Sequence, residues 1–109
     1  MSHRDWKFRL DDIVEALDRI FEYVQGMDYD SWGKDRKTID AVVRNLEIIG
    51  EAAANVPENI QNQFTEVPWY QMKGMRNILI HEYFGLDIEV IWKTIQDDLP
   101  FLKEKIKEL

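Results

Sequence analysis

The chain has 109 residues, of which 45% are hydrophobic and 32% charged, and a formal net charge of −7. These values are typical of a single globular domain over residues 1–109 and argue against disorder. The absence of cysteine excludes disulfides, thiolate zinc sites and cysteine nucleophiles. The negative charge argues against general nucleic-acid binding, so any such binding requires a local basic site.

Nothing in the sequence resembles a membrane segment. No apolar run approaches the ~20 residues of a membrane span. The N-terminus, MSHRDWKFRLDD, lacks the apolar core of a signal peptide. We therefore expect a cytoplasmic protein with no membrane partner.

The first predicted helix runs from Arg4 to Gln25, because its apolar residues recur at steps of three and four. Gly26 is expected to end it, and the segment MDYDSWG that follows is predicted to be a loop. The apolar stripe of this helix consists of Phe8, Ile13, Ala16, Leu17, Ile20, Phe21 and Val24.

The second predicted helix runs from Lys34 to Ala54 and has both an apolar and a polar side. The polar side carries Arg44, Glu47 and Glu51 at spacings of three and four residues. On spacing alone, the favoured interpretation of these three residues is a solvent-exposed ladder of charge pairs. The apolar stripe consists of Ile39, Val42, Val43, Leu46, Ile49, Gly50 and Ala53.

The remainder of the chain predicts one short helical turn near Pro57 and two further long helices. The third helix runs from Pro68 to Phe84, and Asp87 is the expected N-cap of the fourth. Pro100 should force a kink or a restart. The fold class we predict is all-α, an antiparallel up-and-down bundle of four main helices with a short extra helical segment and a kinked C-terminal helix.

Polar residues interrupt the most apolar part of the third helix, GMRNILIHEYFGLD. Projected at about 100° per residue, Arg76 borders the core stripe and Tyr83 falls within it. A separate ridge beside Arg76 carries Lys73, Asn77 and His81 at spacings of four residues, and Gly74 lies close to it. The predicted core stripe consists of Trp69, Met72, Leu79 and Ile80.

Two interpretations of these polar residues remain open. A lone histidine near a helix C-terminus commonly favours the helix dipole, and an arginine at the edge of a stripe commonly forms a salt bridge. Together, Arg76 and His81 also suit an anion site. Because the helix is apolar on more than one side, we expect it to pack against a second subunit as well.

A metal site and a serine nucleophile both have little support in the sequence. His81 has Asn77 and Gly85 one turn away, so no ligand partner lies at the spacing that a helical metal site uses, and HEYFG is not the HExxH pattern. Ser2 and Ser31 belong to no nucleophile motif. We expect no metal and no cofactor.

The segment RNILIHEY fits an R-x4-H-x-Y pattern, with asparagine directly after the arginine. In this it resembles the HEPN superfamily, and specifically the HepT-like ribonuclease toxins. The second helix, AVVRNLEIIGEAA, is similar to the HepT pattern, as are VPWYQMKGMRN and LDIEVIWKTIQDDLPFL. The likeness extends from about Trp6 to Leu102.

This resemblance implies a metal-independent endoribonuclease that acts as a homodimer and forms the toxin of a type VII toxin–antitoxin pair. It implies that Arg76 and His81 are catalytic, that Asn77 and Tyr83 support them, and that a minimal nucleotidyltransferase antitoxin silences the toxin by transferring AMP to Tyr83. Three residues of the second helix would line or brace the cleft: Arg44, Glu47 and Glu51.

The chemistry of RNA cleavage favours a dimer independently. Metal-free cleavage needs a base for the 2′-hydroxyl, an acid for the leaving 5′-oxygen and a cation for the phosphate. One chain offers one well-placed histidine, His81, whereas two copies across a two-fold axis would supply both acid and base. The alternative is a non-catalytic helical partner or regulatory subunit of a minimal nucleotidyltransferase, which the net charge of −7 favours. A third possibility is a helical dimer without an active site.

Overall fold

The computed structural model describes the backbone of residues 3–82 and 87–109 and the side chains of residues 6–76 and 87–109. Over this part of the chain the structure is all-α, which confirms the predicted fold class. None of these helices combines the length and the apolar character that crossing a bilayer requires. The helices are α1 (His3–Val24), α2 (Tyr29–Lys34), α3 (Arg36–Ala54), α4 (Glu58–Gln63), α5 (Trp69–Glu82), α6 (Ile88–Lys93) and α7 (Leu99–Lys107), with a π-helical turn, Thr94–Asp98, before α7.

Helix α3 is central to the core, since it packs against both α1 and α5. Most of the apolar stripe predicted for α1 is buried, but Phe8 is 61% exposed, contrary to its place in that stripe. Each large apolar side chain removed from water contributes about 1.5–3 kcal/mol to the free energy of folding. The largest fully buried side chains include Ile13, Leu17, Ile20, Val42, Leu46, Ile49 and Met72.

The helix ends follow local chemistry that the sequence makes visible. Helix α1 ends at Val24, and Gly26 has a φ of 78°, a left-handed conformation that glycine adopts without steric cost. The carboxylate of Asp87 accepts hydrogen bonds from the backbone N–H groups of Glu89 and Val90, so the predicted N-cap of α6 is confirmed.

The segment predicted to be a loop after α1 contains a helix instead, which is α2. Asp28 and Ser31 form a reciprocal capping box, in which the Asp28 carboxylate accepts the Ser31 backbone N–H at 2.8 Å. The hydrogen bonds from the backbone and the side chain of Ser31 lower the pKa of the Asp28 carboxyl group from its ordinary value of 3.8. Trp32 is fully buried, and its Nε1–H donates to the Ile88 carbonyl at 3.0 Å. Tertiary burial of this tryptophan therefore stabilises a six-residue helix that would be marginal alone.

The interruption predicted at Pro100 is present. Proline has no N–H and its ring clashes with the carbonyl four residues earlier in a regular helix. The chain passes through the π-helical turn Thr94–Asp98, in which the Leu99 N–H donates to the Thr94 carbonyl. Pro100 then lies in the first turn of α7, where its missing donor costs nothing.

Helices α3 and α5 approach each other closely at Gly50. A Cβ atom placed there would lie 2.8 Å from the Arg76 backbone nitrogen and 3.2 Å from the Met72 carbonyl oxygen. Cβ atoms do not approach backbone atoms so closely, so glycine is the residue that allows the two helices to contact at this point.

Replacing Gly50 by alanine should therefore separate α3 from α5. We expect Gly50→Ala to lower the free energy of unfolding by about 1–3 kcal/mol, although alanine is the better helix former. Urea unfolding measures this. The matched control is Gly33→Ala, where the added carbon would meet only the Ile88 Cδ1 atom, at 3.3 Å, which is the end of a flexible side chain. Equal stability of the Gly50 variant and the wild type would contradict the close approach.

Candidate functional site

The position of Arg76 is fixed by the contact between α5 and α3. Its backbone nitrogen and Cβ are the atoms that an added carbon at Gly50 would meet, at 2.8 and 3.0 Å. One turn earlier Met72 is fully buried, and Met75 is 4% exposed, so the inner face of α5 is anchored in the core on the N-terminal side of this contact. The start of the Arg76 side chain is therefore held at the crossing of the two helices.

The guanidinium of Arg76 extends from this crossing along the surface of α3. Its Nη1 donates to the Glu51 Oε2 at 3.0 Å, and the two side chains are 38% and 62% exposed. A guanidinium has five N–H donors, and within the described residues the one hydrogen bond that this guanidinium makes is to Glu51. Its remaining donors bond to no described side chain, and a guanidinium with free donors suits an anion.

The polar side of α3 divides into two parts. Arg44 and Glu47 form an ion pair, with Nη1 and Oε2 3.3 Å apart, and both are at least half exposed. For these two residues, the interpretation favoured from spacing, a solvent-exposed charge pair, is correct. Glu51 instead pairs across to Arg76, so of the three predicted α3 residues the structure brings only Glu51 into contact with it.

A groove lies between α1 and α3, on the side of α3 that carries these charges. Its volume is about 230 Å³, and half-buried Ile48 and buried Ala52 give it an apolar floor. Arg9 and Asp12 form the α1 wall of the groove. They were not predicted from the sequence, because only the packing of α1 on α3 brings them near Glu51. The residues that line the groove are Arg9, Asp12, Arg44, Glu47, Ile48, Glu51 and Ala52.

The outer side of α5 is partly open. The Lys73 Nζ donates to the Gln61 Oε1 at 3.0 Å and so ties α5 to α4. At Gly74 an added Cβ would meet no atom within 4 Å, and Tyr70, one turn earlier, is 91% exposed. This surface has room for another molecule to approach the helix backbone.

The structure places some of the predicted site residues only by their backbone. Asn77 and His81 lie within α5, and His81 follows Arg76 by about 7.5 Å along the helix axis. Their side chains, and the whole of Tyr83, lie outside the described residues. The roles predicted for these three residues stay predictions.

Because both side chains of the Glu51–Arg76 pair are partly exposed to solvent, the contribution of the pair to stability should be small. We expect Glu51→Gln to change the free energy of unfolding by less than about 1 kcal/mol. Glu66→Gln is a matched control. Glu66 lies between α4 and α5, and its Oε2 pairs with Lys105 of α7 at 3.5 Å. A loss of several kcal/mol in the Glu51 variant alone would show that the pair is structural.

Comparisons with known proteins identify one family over nearly the whole chain. The family model for HepT-like ribonucleases matches residues 13–109. A protein of Thermococcus cleftensis named "Probable ribonuclease HepT" is 44% identical over 99% of this chain and 96% of its own length. A Methanocaldococcus jannaschii protein whose name also describes an RNase is 40% identical over 98% of both chains.

A third relative, from Caldanaerobacter subterraneus, again has the name of an RNase and is 40% identical over 92% of this chain and 89% of its own. No solved structure matches the chain significantly. The family model and these relatives together cover nearly the full length of the chain. The chain belongs to the HepT-like ribonuclease family.

Proposed function

We propose that this chain is an endoribonuclease and the toxin of a toxin–antitoxin pair. The names of its relatives support the activity. The observation that carries the proposal is the position of Arg76: an arginine whose backbone is held at a helix crossing, whose guanidinium pairs with one carboxylate, and whose side chain is 38% exposed. An arginine oriented in this way suits a phosphate group of RNA, which accepts two parallel N–H bonds.

The proposed reaction is cleavage of an RNA phosphodiester without a metal ion. A base removes the proton of the 2′-hydroxyl, and the 2′-oxygen attacks the adjacent phosphorus. The bond from phosphorus to the 5′-oxygen breaks, and an acid gives the leaving oxygen a proton, so the products end in a 2′,3′-cyclic phosphate and a 5′-hydroxyl. His81 is the proposed acid–base group, Arg76 stabilises the charge on the phosphate, and Asn77 orients one or the other.

A homodimer would complete this site. The reaction needs an acid and a base, and each chain carries one histidine apart from His3. The open surface at Gly74, beside the exposed Tyr70, supports the approach of a second α5. Two copies of His81 and two of Arg76 would then face a single RNA strand across the two-fold axis.

Cleavage should persist in the presence of EDTA and should depend on both proposed catalytic residues. We expect His81→Ala and Arg76→Ala each to lower kcat/KM by about 100-fold or more, the usual effect of losing an acid–base group or a charge-stabilising donor. Gel assays with labelled single-stranded RNA measure this.

The controls for these variants are His3→Ala and Arg36→Ala. Arg36 is also a helical arginine, and its Nε lies 3.0 Å from the Asp40 carboxylate. If the His81 variant cleaves as well as wild type, His81 is not the acid–base group. If the wild-type chain cleaves no RNA but binds a nucleotidyltransferase, the non-catalytic partner is the correct alternative.

The proposed antitoxin is a minimal nucleotidyltransferase that transfers AMP to Tyr83. The phenolic oxygen would attack the α-phosphorus of ATP, and diphosphate would leave. After co-expression with such an enzyme, the intact mass should increase by one or more AMP groups, and peptide mapping should assign the modification to Tyr83. Tyr83→Phe should show no increase there. A modified protein that still cleaves RNA at the wild-type rate would contradict silencing.

A further inference from the structure

The groove between α1 and α3 carries charges of two kinds. On its α3 wall the carboxylates are engaged, Glu47 by Arg44 and Glu51 by Arg76. On its α1 wall, Arg9 and Asp12 take part in no ion pair or hydrogen bond with any described side chain. Arg9 is half-buried, whereas Asp12 is exposed.

A half-buried guanidinium that pairs with no described side chain favours an anionic ligand. Desolvating a charge costs free energy unless a partner compensates it, and the fork of a guanidinium fits a phosphate. Arg9 stands one helical turn from Asp12 on the same side of α1, so the groove offers a cation and a hydrogen-bond acceptor together. Ile48 and Ala52 of α3 supply the apolar floor of the groove.

The size and position of the groove identify which part of an RNA could enter it. Its volume of about 230 Å³ is below the ~300–1,000 Å³ typical of sites for drug-sized ligands, so it suits one nucleotide rather than a folded RNA. Glu51 lines the groove and also holds Arg76, so the groove adjoins the site proposed to hold the scissile phosphate.

Resting on the proposed ribonuclease function, we infer that this groove is a second RNA subsite, which binds one nucleotide flanking the scissile phosphate. Arg9 contacts its phosphate, and the apolar floor contacts its base. Asp12 accepts a hydrogen bond from an exocyclic amino group of that base. Adenine, cytosine and guanine have such a group and uracil has none, so the subsite disfavours uracil.

Binding of short RNAs tests the subsite. Fluorescence anisotropy with the full-length His81→Ala chain and single-stranded octamers of adenosine, cytidine or uridine should give about tenfold weaker binding of the uridine octamer, toward the low end of what a good base contact supplies. Asp12→Asn should reduce that preference. Arg9→Gln should weaken binding of all three octamers and lower the salt slope by about 0.7, the value for one phosphate contact on a single strand.

The matched controls are Arg19→Gln and Glu15→Gln. These residues lie on the same helix, pair with each other and do not line the groove. If the Arg9 and Asp12 variants bind all three octamers as the controls do, while the wild-type chain cleaves RNA, the inference is wrong and the proposed function stands. If the wild type neither binds nor cleaves RNA, the proposed function itself fails. If the Arg9 variant changes the oligomeric state, the groove is an interface between copies and not an RNA subsite.

Discussion

The contact between Gly50 and the backbone of Arg76 is the constraint on which the candidate site depends. It lets α5 lie against α3 at the distance of a backbone contact and fixes the start of one arginine side chain at the crossing. A long charged side chain there would otherwise lose much rotamer freedom on binding an anion. Because the packing has already restricted it, and Glu51 holds one edge of its guanidinium, Arg76 is partly organised before a ligand arrives.

This arrangement makes the proposed RNA substrate compatible with an acidic chain. The net charge of −7 repels RNA at long range, so recognition has to come from a few local cations. Three arginines lie in or beside the α1–α3 groove and are placed differently. Arg44 pairs with Glu47 within α3. Among the described side chains, Arg76 of α5 pairs only with Glu51, and Arg9 of α1 pairs with none. Local geometry, rather than overall charge, then decides where a phosphate binds.

The sequence predicts most of the fold because helix periodicity and capping are local. The bounds of α3, the end of α1 near Gly26, the N-cap at Asp87 and the interruption at Pro100 follow from patterns within a few residues. Helix α2 was missed because its stability depends on the burial of Trp32, which the local sequence does not reveal. Phe8 fits the stripe of α1 by spacing but is exposed, since periodicity does not say how far a neighbouring helix extends.

The site was predictable only in part, because much of it depends on contacts between helices that the local sequence does not reveal. The sequence singles out Arg76, a charged residue in an apolar helix, and the family resemblance singles out Glu51. Their contact with each other could not be predicted, because it depends on the register between α3 and α5. Arg9 and Asp12 carry no sequence signal, because an arginine and an aspartate on an exposed helical side are ordinary. Interactions within one helix can be predicted from the sequence, whereas interactions between helices can be identified only from the structure.

The central claim is that each chain contributes half of an active site. The most direct test is to co-express wild-type chain with increasing proportions of the His81→Ala chain and to measure cleavage per wild-type chain with RNA in excess. If the site needs His81 from two copies, activity per wild-type chain should fall toward zero as mixed dimers replace wild-type dimers. If activity per wild-type chain stays constant at every ratio, one chain holds a complete site and the account is wrong.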